Sequence, residues 1–244
     1  APAIKTISLQ LIALKAEIPM AQNYKFIIFD CDGVLVDSEI LYLEIERQHL
    51  ASAGLTYGDE ECIKRFMGTG PKAYEIQARQ DYKNRFGTDL AGDFFDLMHM
   101  TIHSEFEKNL TAVAGIDSVL GNLQSLDIAV ASSSGLDFLK QKLGWVRLNQ
   151  YFGDHIYSAE QVSNPKPEPD LFLFVAKALG ADPRQCIVVE DSPNGVRAAR
   201  AAGMTAIGFT GGRHCGPDHA GWLKEYGADL VCRDAPALSE ALAS

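Results

Sequence analysis

Lys25-Phe26-Ile27-Ile28-Phe29-Asp30-Cys31-Asp32-Gly33-Val34-Leu35-Val36-Asp37-Ser38-Glu39 is the stretch around which the rest of the chain is organised. Phe26 to Phe29 is an unbroken apolar run of aromatic and β-branched residues closed by a turn signal, the pattern of a buried parallel strand. Asp30 and Asp32 follow at once, and Gly33 makes the turn. Two carboxylates therefore sit at the carboxyl end of a central strand, where open α/β sheets place their ligands. Acids this close repel one another and need a cation, a shared proton or backbone donors to hold them. A hard cation such as Mg²⁺, with oxygen ligands and retained waters, fits best. A carboxylate can also act as a nucleophile toward phosphorus, forming an acyl phosphate. Taken alone, Asp-x-Asp is more often a solvated surface turn, so the reading depends on later segments.

The chain has 244 residues, 47% hydrophobic and 22% charged. That suits one large α/β domain, or such a domain with an insertion. A net charge of −10 argues against nucleic acid or an anionic membrane as partner. A small-molecule partner and a monomer are expected. Cys31, Cys62, Cys186, Cys215 and Cys232 are scattered, with no Cys-x-x-Cys. This is the usage of a reduced, cytoplasmic protein. No apolar run approaches the roughly 20 residues of a membrane span. Residues 1–19 read as an expression leader, since Met20 looks like a natural start; the alternative is a native arm packed on the domain.

Beyond Ser38 the pattern turns helical. Helices are expected over Glu39–Gly54, Asp59–Phe66, Lys72–Phe86 and Leu90–Lys108, with Gly68, Gly70, Pro71 and Gly87 as breaks. No strand pattern interrupts residues 38–110, which read as an all-helical insertion. Strand–helix alternation then returns. Strands are expected at Ile128–Ala131, Asp154–Tyr157, Cys186–Val189, Met204–Gly208 and Ala228–Val231, with helices at Ile116–Leu126, Leu136–Leu143, Pro169–Leu179 and Gly195–Ala202. Such alternation implies a parallel sheet with right-handed crossovers.

Three further strand ends carry functional groups. Ser132 and Ser133 follow the second strand, where a hydroxyl and backbone N–H groups can hold a phosphoryl oxygen. Lys166 lies in Asn-Pro-Lys-Pro-Glu-Pro-Asp; prolines on both sides restrict the backbone, so the lysine is aimed rather than free. Glu190 and Asp191 repeat the first motif's logic of apolar strand, then two acids. Ser192-Pro193 after them is a good helix start. If Asp30, Asp32, Glu190 and Asp191 converge, four negative charges meet. Two unit charges 4 Å apart cost about 4 kcal/mol at an effective dielectric of 20. Lys166 alone cannot offset that, so a divalent metal is expected.

These segments together resemble the haloacid dehalogenase superfamily of phosphotransferases. Phe29 to Ser38 is similar to its first motif, Ser132 to its second, Lys166 in Lys-Pro-Glu-Pro-Asp to its third, and Glu190-Asp191-Ser192 to its fourth. The likeness spans residues 25–210 in order, and the helical insertion resembles the small cap of subclass I. It implies a Rossmann-like, doubly wound parallel sheet formed by residues 20–37 and 111–244, with a small all-α cap of residues 38–110. It also implies a Mg²⁺-dependent phosphatase of small phosphate monoesters, sugar phosphates or phosphoglycolate-like metabolites. Asp30 would be the nucleophile and Asp32 the general acid and base. Ser132 would hold a phosphoryl oxygen, and Lys166 would neutralise nucleophile and phosphate. Asp30, the Asp32 carbonyl, Glu190 and Asp191 would bind the metal. Asp37 would brace the turn. Ser38, Ser133, Arg65 and Lys72 are candidates for phosphate or substrate contact.

Alternatives have their own signatures. Dehalogenases use no metal and generally lack the second acid, which Asp32 supplies here. β-Phosphoglucomutase uses a cap histidine and a cap arginine where this chain has Tyr42 and Pro71-Lys72. A phosphorylated receiver module is much shorter and has no helical insertion; an inactive binding module would not need all the catalytic residues. His214, Cys215 and His219 invite zinc, but their spacing fits no standard site and they offer only three ligands, so no zinc is expected.

Overall fold

Phe26–Phe29 forms the central strand β1, and its four residues point alternately to the two faces of a sheet. The structure is a computed structural model describing residues 24–66, 71–123 and 126–243. The expectation for residues 1–19 falls outside them. After β1 come α1 (Ser38–Ser52), α2 (Asp59–Phe66), α3 (Pro71–Phe86), α4 (Phe94–Asn109) and α5 (Ile116–Gly121). Then follow β2 (Asp127–Ser132), α6 (Leu136–Trp145), β3 (Ile156–Ser158), α7 (Asp170–Leu179), β4 (Cys186–Glu190) and α8 (Pro193–Ala201). The chain continues with β5 (Thr205–Phe209), α9 (His219–Glu225), β6 (Leu230–Cys232) and α10 (Ala235–Ala243).

The six strands pair in parallel throughout the sheet, in the order β3-β2-β1-β4-β5-β6. The strand order reverses beside β1, because the chain builds outward to β3 and then returns to lay β4 on the other side. Phe29 is level with both Val130 and Val189. Asp30, Ala131 and Glu190 therefore leave the sheet at one height, at the switch point where such sheets bind ligands.

The uninterrupted apolar runs reflect burial on both faces. Ile27, Phe29, Val130, Val189 and Ile207 pack against Leu120, Leu139, Leu143 and Leu238. Ile28, Ala129, Val188 and Ala206 pack against Phe172, Val175, Val196 and Leu223. Helices α1 to α4 gather a third cluster of their own, including Leu50, Tyr74, Phe95, Met98 and Phe106, with Phe138 and Trp145 of α6 leaning on it. The molecule is thus a doubly wound α/β sheet carrying a small all-helical cap. Among the described residues no helix is long and apolar enough to cross a membrane.

Some boundaries differ from the sequence expectation. The fourth helix starts at Phe94 rather than Leu90, because Gly92 and Asp93 form its entry, and α5 stops at Gly121 instead of running to Leu126. Helices α9 and α10 were not expected at all. The Ala/Leu spacing of Ala235–Ala243, with Ala235, Leu238 and Leu242 buried, is the signal that would have found α10.

Candidate active site

The turn after β1 begins with the Asp30 backbone N–H donating to the Val189 carbonyl at 2.9 Å, which ties the strand end to β4. Gly33 then adopts φ +78°, and a Cβ there would lie 1.9 Å from Asp191 Oδ2. Only glycine both takes that conformation without strain and lets the Asp191 carboxylate approach the backbone. Asp37 closes the turn from its far end, accepting from the Arg213 N–H at 2.9 Å and from Arg213 Nε at 3.0 Å.

Lys166 is aimed into this turn. Its Nζ donates to Asp30 Oδ1 at 2.5 Å, Glu190 Oε1 at 2.7 Å and the Ala131 carbonyl at 2.9 Å. Burial works against its charge, but Asp30 and Glu190 outweigh burial and hold the ammonium above its usual range. Glu190 is saturated: its other oxygen, Oε2, accepts from the Ser192 N–H and Ser192 Oγ, both at 2.9 Å. Asp30 and Asp191 are buried. Burial pushes the Asp30 carboxyl well above the ordinary range, partly offset by Lys166 and reinforced by Glu190, Asp191 and Asp32. Burial, then repulsion from Glu190, does the same to Asp191. His214 Nε2 lies 3.0 Å from Asp191 Oδ2.

Asp32 faces a different set of donors. Ser38 Oγ donates to its Oδ1 at 2.5 Å, and Lys142 Nζ pairs with the same oxygen. Ser134 Oγ at 2.9 Å and Ser132 Oγ at 3.3 Å donate to Oδ2. Burial would raise this carboxyl, but Lys142 and the hydroxyls win and hold it below its usual value. Lys142 itself is fully buried and also reaches Ser134 Oγ at 2.8 Å.

At full ionisation four acids meet two lysines, leaving two negative charges. Asp32 is answered by Lys142, so the excess lies among Asp30 and Glu190, which share Lys166, and Asp191 beside them. A buried, all-oxygen set short of two positive charges suits a hard dication. The donor set therefore fits Mg²⁺.

The model of the haloacid dehalogenase-like hydrolases matches residues 27–209. The chain belongs to that family. As a haloacid dehalogenase-like hydrolase it is 29% identical over 192 residues to the 6-phosphogluconate phosphatase of Escherichia coli, covering 78% of this chain and 85% of that one. It is 31% identical over 191 residues to the E. coli fructose-1-phosphate phosphatase, covering 77% and 97%. Among solved structures it is similar to a conserved haloacid dehalogenase-like protein of Agrobacterium tumefaciens, with 36% identity, a TM-score of 0.78, and 91% and 100% of the two chains covered.

Of the residues singled out from sequence, Asp30, Asp32, Ser38, Ser132, Lys166, Glu190 and Asp191 come together around the β1 turn. Ser133 is exposed beside Ser132. Arg65 is turned to Asp81 in the cap, and Lys72 is exposed on α3. Two site residues of this hydrolase were missed, Lys142 and Ser134. Lys142 had a legible signal: on α6 it follows Leu139 by three residues and precedes Leu143 by one, which puts a charge on the buried face. Ser134 sat unread in a serine-rich turn.

Proposed function

We propose that this hydrolase cleaves small phosphate monoesters, sugar phosphates or phosphoglycolate-like metabolites, in a Mg²⁺-dependent reaction through an aspartyl phosphate on Asp30. The observation that carries the reading is the shortfall of two positive charges beside a carboxylate held by Lys166. The phosphorylated metabolites in the names of the E. coli relatives support the substrate class.

Asp30 attacks phosphorus, the ester P–O bond breaks, and the alcohol leaves with a proton. Water then attacks the acyl phosphate, releasing inorganic phosphate and restoring the Asp30 carboxylate. Asp32 takes the proton from that water, and its Lys142 pair favours the ionised form this half-reaction requires. In the first half-reaction the same carboxyl, once protonated, gives its proton to the leaving oxygen. Lys166 fixes Asp30 Oδ1 and neutralises charge on the phosphoryl group. Ser132 and the exposed Ser133 are assigned to phosphoryl oxygens, and Ser38 to holding Asp32 in place. Asp30, Asp191 and the Asp32 carbonyl are the residues that would hold Mg²⁺. With both of its oxygens engaged by Lys166 and Ser192, Glu190 is assigned to positioning the lysine. When bound, the cation supplies the positive charge that a phosphate dianion needs to enter this acidic turn.

The test is phosphate release from a panel of phosphorylated metabolites. Release is expected with Mg²⁺, lost with EDTA and lost in Asp30→Asn. Interconversion of glucose phosphates without release would make the protein a mutase, and a long-lived phosphoprotein without turnover would make it a receiver-like module.

A further inference from the structure

The loop after β5 and the start of α9 gather groups that the hydrolytic reading does not use. His214, Cys215 and His219 each offer one ligand atom, all within 4.8 Å of one another. Cys215 Sγ lies 3.3 Å from His214 Nε2. The two rings stand nearly perpendicular, at 88°, with centroids 5.4 Å apart. A fourth donor comes from another segment, since Asp191 Oδ2 is 3.0 Å from the same His214 Nε2. Zn–N and Zn–O bonds of about 2.0–2.1 Å and Zn–S bonds of about 2.3 Å imply ligand-to-ligand edges of roughly 3.3–3.8 Å in a tetrahedron. The His214, Cys215 and His219 atoms are therefore near that size already, their widest pair having to close by about 1 Å, and Asp191 meets them at His214.

We propose that His214, Cys215 and His219, closed by the Asp191 carboxylate, form a site for a borderline-soft divalent transition metal such as Zn²⁺, distinct from the hard-cation site it adjoins. Imidazole and thiolate select such ions over Mg²⁺. His219 has the outer contact expected of a metal-bound histidine: its Nε2 lies 2.6 Å from the Asp191 carbonyl oxygen. Donation of an Nε2 proton there leaves the lone pair on Nδ1 for the metal. Binding removes the Cys215 thiol proton to solvent and engages Asp191. Zinc bound here consequently withdraws Asp191 from the hard-cation site. Sequence spacing alone concealed this arrangement, because the fourth ligand comes from the β4 turn.

Binding is measured on the purified full chain without substrate, so the outcome does not depend on the phosphatase reading. Titration with Co²⁺ is expected to give one ion per chain and a thiolate-to-cobalt charge-transfer band, which Zn²⁺ then abolishes. In Cys215→Ser, which keeps the size of a half-buried side chain, the band disappears and zinc affinity falls about 100-fold. The variant keeps its hydrolytic activity but loses inhibition by zinc. Wild-type protein without the band, or zinc affinity equal in wild type and Cys215→Ser, would overturn the proposal by showing that zinc binds the carboxylates alone.

Discussion

Lys142 is the residue on which the ionised state of Asp32 depends. A lysine with no exposed surface is tolerable only when paired, and Asp32 is its acidic partner. Replacing it with methionine keeps the volume and deletes the charge. We expect kcat of Lys142→Met to fall about 100-fold, the scale of a displaced general base. Asp32→Asn should fall further, and the double variant should lose little beyond Asp32→Asn, because the lysine acts through the aspartate. Steady-state rates on the best substrate, with circular dichroism to confirm the fold, test this; losses that multiply would refute it. Gly33 gives the second prediction. With φ +78° and Asp191 Oδ2 1.9 Å from a would-be Cβ, Gly33→Ala must push the carboxylate away and strain the turn by about 1 kcal/mol or more. The expected result is weaker Mg²⁺ binding in isothermal titration, with the melting temperature lowered by a few degrees. Most of the residues that gather at this turn were legible. Asp30, Asp32, Lys166, Glu190 and Asp191 stand at strand ends or between prolines, and such punctuation survives in one dimension. Lys142 lies mid-helix, where only its place on an apolar face marks it.

At the scale of elements, the six strands were legible because apolar runs bounded by turn residues have few other readings. Their edges slipped by a residue or two where the turn chemistry was weak, as at Ile156–Ser158. The cap helices were legible as helices but not in their contacts. Arg65 on α2, read from sequence as a substrate contact, instead meets Asp81 on α3 through two nitrogens, with Tyr57 Oη donating to Asp81 at 2.9 Å and Gln77 Nε2 donating at 2.9 Å. The linear chain could not reveal that pairing, because its partners lie sixteen residues apart on different helices. Burial would raise the Asp81 carboxyl, but Arg65, Tyr57 and Gln77 hold it below its usual value. A depressed folded-state pKa gives stability that is present above the unfolded value of about 3.9 and lost as pH falls through the folded value. With Arg65 partly exposed, the pair is worth about 1 kcal/mol. Arg65→Met should therefore melt about 2–4 °C below wild type at pH 7. The gap should close in acid, as the pH falls below the unfolded value and through the lower folded value at which Asp81 protonates. A gap that persists unchanged in acid would assign the loss to packing of the arginine stem.

At the scale of the molecule, the fold brings turns from β1, β2, β3 and β4 to one edge of the sheet. Ser38 opens the cap helix α1 and also donates to Asp32, so the cap and the turn after β1 share a residue. The cost of this convergence is electrostatic. The chain carries −10 overall, and at full ionisation the site keeps two negative charges that its own lysines do not answer. A group that binds only the folded state stabilises it by about 2.7 kcal/mol at a hundred times its dissociation constant. For a chain of this size that is a rise of about 5–10 °C in melting temperature. Mg²⁺ should produce such a rise in wild type, and EDTA should reverse it. Asp30→Asn removes one of the repelling charges while Glu190 still holds Lys166. It should therefore melt above wild type in EDTA, gain little from Mg²⁺, and hydrolyse nothing, the usual opposition between stability and a charged active site. Differential scanning calorimetry of the two proteins with and without Mg²⁺ decides the matter. A wild-type melting temperature indifferent to the cation, together with an Asp30→Asn protein no more stable than its parent, would mean that the acids are neutralised within the chain and that the site needs no metal to stand.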